Sequence, residues 1–571
     1  MANKVGVLGP LLVLVLAQCT GAVGDGGAMG LAPPGGNAAG GPGTGSGRAN
    51  GNTGGATGRD PDGRRDAGGG QTAGGAGGPS EPMADAGAPA PTADAASPDL
   101  GPGAAPGGNT AAGPWARDVA LAQVELSQGV AVKLREDDEV LPVAERNAPI
   151  VEGRPIFLRA YVDAAQGFQE RSLRAVLTLV ENGQPVLELE NAKEISEDSD
   201  HGELGSTFNF EIPPEAVKPD RSLWIGLYEA SGAPASGPAM GARFPAEGAV
   251  EMGAKAGRME LDVVAVPVHG PGGPLEDTPE LRKNLENHLF DLYPVQKVNL
   301  RIHAPVERDE DFTSSSDAFA ILREIRRADN AKPHEYYHLL VAREDSNFRF
   351  AGVASRAGDR LSDASRRVAI TVVRRRAVDG NVDTTAHEIG HNNGLRHSPG
   401  CGAAGPDTNY PNQNGDLVVD GYSLSKKALR SYEQYNDLLS YCRPRWASDY
   451  IWRAIEERVR TINGFAAMPE PEMVSALASR SLQTFVGPGE TPVWGLVPGD
   501  LVGPEVQVTP TTYARLKLDG GGERVIPVEV RELSDGGVRE IALNLPDEGP
   551  EVLEAVVVVD GQSHPVNVLG L

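Results

Sequence analysis

The stretch His387–His397, which reads HEIGHNNGLRH, constrains this chain more than any other. On a helix, His387 and His391 stand four residues apart, so both imidazoles share one face, one turn apart. That spacing lets two ring nitrogens reach a single Zn2+ at ordinary bond lengths of about 2.0–2.1 Å. Glu388 follows the first ligand, where its carboxylate can reach a water on the metal without joining the coordination shell. Gly394 ends the helix, because glycine accepts the left-handed backbone of a C′ position. The chain can turn there and bring His397 back as a third ligand. Three neutral imidazoles leave a tetrahedral zinc one open position, which is the arrangement of a catalytic site.

HExxH alone arises by chance in amphipathic helices. The longer HExxHxxGxxH fixes five positions, each with its own mechanical reason, and it holds three of the chain's ten histidines. These residues resemble the zinc signature of the metzincin metallopeptidases. The resemblance implies a twisted mixed sheet with backing helices and the zinc helix, followed by a small irregular lower half.

Charge and composition exclude some partners. With 78 Asp+Glu against 52 Lys+Arg the net charge is −26, which argues against nucleic acid and favours solubility. At 571 residues the chain has room for about three folded domains. Gly (72) and Pro (45) are abundant, but the excess is concentrated at the N-terminus, so the average misdescribes the folded part.

Residues 1–19 have the pattern of an export signal: Lys4 supplies the positive charge and Val5–Ala17 an apolar core. Leu16-Ala17-Gln18-Cys19 resembles a bacterial lipobox, in which the cysteine is lipidated after cleavage. Gln18 departs from the small residue usual before that cysteine, so two outcomes stay open: a lipid anchor at Cys19, or ordinary secretion. Either puts the protein outside the cytoplasm, on the cell surface (as an outer-membrane lipoprotein) or secreted. Residues 20–113 are Gly, Ala, Pro, Ser and Asp with few large apolar side chains. They cannot bury enough surface to offset their ordering entropy and are expected to form a disordered tether.

The predicted architecture beyond the tether is multidomain: an α+β metzincin-like catalytic domain at 257–465, flanked by two β-sandwich-like domains at 114–246 and 466–571. Short alternating segments such as PIFLRAYVDA and LRAVLTLVEN, broken by Gly, Pro, Asn and Asp, support the first sandwich. It is either a substrate-positioning module or a spacer. From Met259 strands and helices alternate. MELDVVAVPV, KVNLRIH, EYYHLLVA, FRFAGVASRAG and RRVAITVV are predicted strands. Helices are expected over TPELRKNLENHLFDLYPV, capped by Thr278, and over SSDAFAILREIRRADNA. Asp383 is the expected N-cap of the zinc helix. The metzincin resemblance implies that an edge strand around Phe350–Ser355 pairs with an extended substrate. Segments such as VIPVEVREL and EVLEAVVVV return to β after 470, with no visible chemistry.

Past His397, Asp407, Asn409, Asn414 and Asp416 can either hold Ca2+ or form a solvated turn, and their spacing matches no calcium loop. In DLLSYCRPRW, Leu439 stands where metzincins carry a methionine that floors the zinc histidines. Leu is close in volume, so the change should cost under about 1.5 kcal/mol. Tyr441 stands where some metzincins carry a tyrosine near the metal, and it is either an oxyanion donor or a packed side chain. Beyond Cys19 only Cys401 and Cys442 remain, and in an oxidising compartment their simplest use is a disulfide. No cysteine between 19 and 401 is available for the cysteine-based latency of some metzincins.

The resemblance thus implies an exported zinc endopeptidase acting on proteins or glycoproteins. His387, His391 and His397 would hold the metal, with Glu388 as general base. The competing expectation is a surface binding or adhesion protein with an inactive peptidase-like domain. A dead copy tends to lose a ligand or the glutamate, and none is lost here.

Overall fold

The computed structural model describes residues 113–230, 239–373, 378, 382–568 and 571. The export-signal, Cys19 and tether expectations lie outside them. No described helix is long and apolar enough to cross a membrane.

The alternating N-terminal segments form two antiparallel sheets. Val119–Ser127 lies between Ala131–Lys133 and Ile156–Ala164, and Phe208–Ile212 completes four strands. The second sheet orders Arg243–Phe244, Arg221–Glu229, Arg171–Glu181 and Gln184–Ile195, with Val250–Glu251 also on Arg221–Glu229. Val124 and Leu158 from one sheet and Leu177 and Leu223 from the other share a single buried core, which is how two half-apolar sheets remove both faces from water.

The middle region is built on strands β1 (Glu260–His269), β2 (Lys297–Ile302), β3 (Glu335–Ala342), β4 (Gly352–Ala354) and β5 (Val368–Val373). Their order is β2-β1-β3-β5-β4, parallel except for β4, which runs antiparallel on the β5 edge. β5 is buried along its whole length, as a strand covered on both faces must be. Helix α1 (Pro279–Leu292) starts as the sequence predicts, with Leu281 N–H donating to Thr278 at 3.2 Å and Pro279 in the first turn. Helix α2 is Ser315–Ala328, the zinc-motif helix α3 is Val382–Asn392, and α4 (Asp449–Phe465) closes the region under a Ser448 cap.

Two local expectations change. Asp383 lies inside the first turn of α3 and is not its cap, because its carboxylate is taken by Arg443 and Arg445. FRFAGVASRAG yields only the short β4: Arg343 Nη2 binds the Phe350 carbonyl at 3.0 Å, which removes it from the ladder.

The C-terminal region begins with a helix where β was expected, α5 (Glu470–Ala476). Pro471 in its first turn and acidic Glu470 and Glu472 favour a helix N-terminus. Two four-stranded antiparallel sheets follow around a core that includes Leu482, Leu516, Ile541 and Val557. One of them carries β6 (Glu529–Glu532) and β7 (Arg539–Asn544) as neighbours.

Both β regions are welded to the α/β sheet. One core runs from the N-terminal sheets into α1, α3 and α4 through Leu289, Ile389 and Trp452. Another joins β1, β3 and β5 to Phe485, Leu533 and Val538 of the C-terminal region. The zinc-motif helix belongs to the first of these cores and packs against β4 and β5.

Candidate metal centre

Helix α3 is buried from Thr384 to its end, so His387 and His391 face the interior and not solvent. After Asn392 the chain turns at Gly394, whose φ is +85°. A Cβ there would fall 2.8 Å from the Ala357 carbonyl oxygen, so this position requires glycine twice over. The turn returns His397 to the first two histidines. His391 Nε2 lies 3.1 Å from Nε2 of His387 and 3.1 Å from Nε2 of His397.

The opposite ring nitrogens explain what these three atoms are. Nδ1 of His387, His391 and His397 sits 2.9, 2.8 and 2.6 Å from the carbonyls of Leu438, Leu395 and Ala404. A carbonyl only accepts, so each Nδ1 donates and each Nε2 is left with a bare lone pair. Three lone pairs converging in a buried space repel unless a cation lies among them. The donor set therefore fits zinc, with the backbone carbonyls fixing the tautomers. The Arg445 guanidinium also lies 2.8 Å from His387 Nδ1, a contact that would demand the other tautomer. A metal on Nε2 selects the Leu438 bond. Burial depresses the basicity of His387 well below the usual histidine range, helped by His391 and Arg445. The same burial, with His397 beside it, takes His391 down to about 3. Both are neutral imidazoles at physiological pH.

Glu388 is almost wholly buried (1% exposed) next to this cluster. Burial first and the Asp535 charge second push its carboxyl well above the ordinary glutamate range. It occupies the space left by the missing side chain of Gly352 on β4, where a Cβ would collide with Glu388 Oε1. Leu439 is fully buried under α3, and a Cβ on Gly390 would lie 2.7 Å from its Cδ2. The leucine thus floors the histidine helix.

Asp437, which the sequence reading passed over, holds this turn together. It accepts from Ser398 Oγ, from Leu439 N–H at 2.8 Å and from Ser448 N–H at 3.2 Å. Cys401 and Cys442 form the expected disulfide, tying the loop after His397 to the turn carrying Tyr441. In the loop between, Asp407 accepts from Asn409 N–H at 2.9 Å and from Tyr450 at 2.8 Å. Asn412 Oδ1 accepts from the backbone of Asn414 and Asp416. The bonds from Asn409, Asn414 and Asp416 shape turns, and the one from Tyr450 ties the loop to α4.

The C-terminal region, expected to carry no chemistry, reaches into the centre. The β6–β7 hairpin closes with Leu533 N–H on the Val538 carbonyl at 2.9 Å and projects Ser534 and Asp535. Asp535 Oδ2 lies 3.5 Å from His397 Nε2, and one ligand atom from each of His387, His391, His397 and Asp535 fits within a mutual 4.8 Å. Tyr441 packs its ring 4.7 Å from that of His397 and donates its hydroxyl to Asp535 Oδ1. Burial and that carboxylate both push the Tyr441 phenol above its usual range. Ser534 Oγ donates to Glu388 Oε2 at 3.2 Å. In sequence, Ser534–Gly537 announces only a turn, and nothing in the local pattern says where that turn points.

No curated protein matches the chain. Residues 294–398, which run from the end of α1 through the last motif histidine, match the family model described as metallo-peptidase family M12B, Reprolysin-like. That match and the three converging imidazoles together fit a zinc metallopeptidase.

Proposed function

We propose that the chain is an exported zinc endopeptidase of metzincin-like architecture, acting on proteins or glycoproteins. The observation that carries this reading is the convergence of three lone-pair-bearing Nε2 atoms beside a buried glutamate. His387, His391 and His397 hold the metal. When bound, Zn2+ supplies a Lewis acid that polarises a peptide carbonyl and acidifies water. Glu388 takes the proton from water and passes it to the leaving amine. Its burial keeps bulk water out and strengthens its interaction with charge that develops in the reaction. Tyr441, once its hydroxyl is released from Asp535, donates a hydrogen bond to the developing oxyanion. β4 is the edge strand on which an extended substrate would add once Ser534 leaves the backbone of Ala354. The Cys401–Cys442 disulfide supports an oxidising compartment and therefore export, by secretion or through an anchor at Cys19.

The test is metal content together with casein hydrolysis, with and without a chelator, for the full chain and its Glu388→Gln form. One zinc per chain is expected in both. Chelator-sensitive hydrolysis, however slow in the parent, should fall about a hundred- to ten-thousandfold in the variant. Equal hydrolysis in the two forms would overturn the role of Glu388, and absence of metal would overturn the whole reading. A surface binding or adhesion protein on a peptidase scaffold is the second reading. It draws support from Asp535, which fills the side of the site that a substrate would use.

A further inference from the structure

We infer that Asp535 is a fourth ligand to the metal held by His387, His391 and His397, and that the β6–β7 hairpin sits where substrate would lie, keeping the site closed. This rests on the zinc-peptidase reading and adds its regulation. Three imidazoles leave a tetrahedral zinc one position, and a carboxylate oxygen is an ordinary donor for it. Asp535 supplies that oxygen from the open side of the cluster, with Oδ2 3.5 Å from His397 Nε2.

The neighbouring contacts make this a built arrangement. Ser534 N–H donates to the Ala354 carbonyl at 3.2 Å, and Ala354 N–H donates to Ser534 Oγ at 2.9 Å. Both backbone groups of Ala354 on β4 are thereby used up, as an added substrate strand would use them. The same Ser534 hydroxyl holds Glu388, and Asp535 holds Tyr441. Two consecutive residues thus engage the edge strand, the general base, the oxyanion donor and the metal ligands at once.

The hairpin is held at its stem and special at its tip. Leu533 and Val538 are buried in the core shared with β3 and β5, and Arg356 donates to the Glu532 carbonyl at 2.8 Å. At the tip, Gly536 and Gly537 take φ of +71° and +64°. A Cβ on Gly536 would lie 2.7 Å from Phe350. Opening the site therefore requires only Ser534–Gly537 to swing away, with the domain interface intact. The carboxylate does the job that latency cysteines do elsewhere, from the C-terminal side of the chain and with no thiol.

The test compares the full chain with Asp535→Ala and Asp535→Asn, the latter close to isosteric and included in case the alanine form fails to fold. Each is loaded with zinc and titrated with acetohydroxamate by calorimetry, and each is loaded with cobalt(II) for its visible spectrum. Removal of the ligand should tighten hydroxamate binding by about tenfold or more, because only the open fraction binds. It should also change the cobalt spectrum, with one metal per chain retained. Equal hydroxamate affinity and unchanged cobalt spectra in all three forms would overturn the Asp535 assignment, whatever happens to casein. Tighter binding and altered spectra without casein hydrolysis in either variant would keep Asp535 as a ligand and discard the peptidase. Failure of all three to bind metal would discard both.

Discussion

The two β regions that flank the α/β sheet each dock around one buried arginine, and the two arginines are satisfied differently. From the N-terminal side, Arg154 reaches the backbone carbonyls of Val295 and Phe290, both at 2.5 Å, and packs over the Phe290 ring at 4.0 Å. Among the described residues no carboxylate pairs with it, and burial, only partly offset by the Asp291 charge, takes its pKa down to about 9. On the C-terminal side, Arg366 of the α/β region meets Asp363 at 2.6 Å, Glu540 at 2.8 Å and Glu529 at 3.1 Å. Burial would weaken this guanidinium too, but the Glu540 and Asp363 charges outweigh it and raise its pKa. The first contact fixes the C-terminal end of α1, which packs against α3. The second fixes the stem of the hairpin that enters it. Composition does not separate the two regions; the position of one hairpin tip does.

The largest stability effect should come from Arg366→Met. Glu540 would be left buried without its counter-charge and Asp363 with only Arg360, a loss of about 3–5 kcal/mol measurable by urea unfolding. A loss under about 1 kcal/mol would mean that the C-terminal dock does not depend on this cluster. Arg154→Met strands carbonyls but no charges, so its cost should be smaller, about 1.5–3 kcal/mol. If the two costs came out reversed, the contrast between the docks would fail.

The sheet between the docks should contribute to the acid sensitivity beside the motif histidines. His338 on β3 is buried beside Thr371 and held down to about 3 against its ordinary 6.5, by burial. Its folded-state value is the depressed one, so the unfolded chain binds the extra proton first. Stability is complete above about 6.5 and declines as pH falls towards about 3, by at most about 1.4 kcal/mol per pH unit. His338→Gln should flatten that slope in metal-free protein, and an unchanged slope would assign the acid sensitivity to other groups. The smallest effect is expected from Gly536→Ala, which forces a side chain into positive φ and against Phe350. A strain of about 1 kcal/mol at the tip should tighten hydroxamate binding a few-fold, with the unfolding free energy lowered by no more than that strain.

Much of the metal centre was legible because its spacing is local. His387, Glu388, His391, Gly394 and His397 lie in one motif, and helical geometry plus one glycine turn suffices to bring them together. The strand order of the α/β sheet was not stated by the pattern, although its strands were. Periodicity tells which faces are apolar, and not which strand is whose neighbour. Asp535 was invisible for a stronger reason. It is 138 positions beyond His397 (535 less 397), on a turn whose sequence specifies only its own backbone. Its placement depends on how Phe485, Leu533 and Val538 pack against another region's sheet. Asp437 was missed likewise, as an acidic residue in a turn that becomes informative only when Ser398 and Ser448 arrive beside it.

Gly352 has a bearing on any relative of this chain. Its lack of a side chain is what leaves Glu388 room between α3 and β4. A homologue could keep every histidine and the glutamate, and so satisfy the zinc motif in full, while carrying alanine or serine at this position. Its glutamate would then have to sit elsewhere. Position 352 is therefore a sorting criterion that lies outside the motif, and it can be scored in a sequence before any activity is measured.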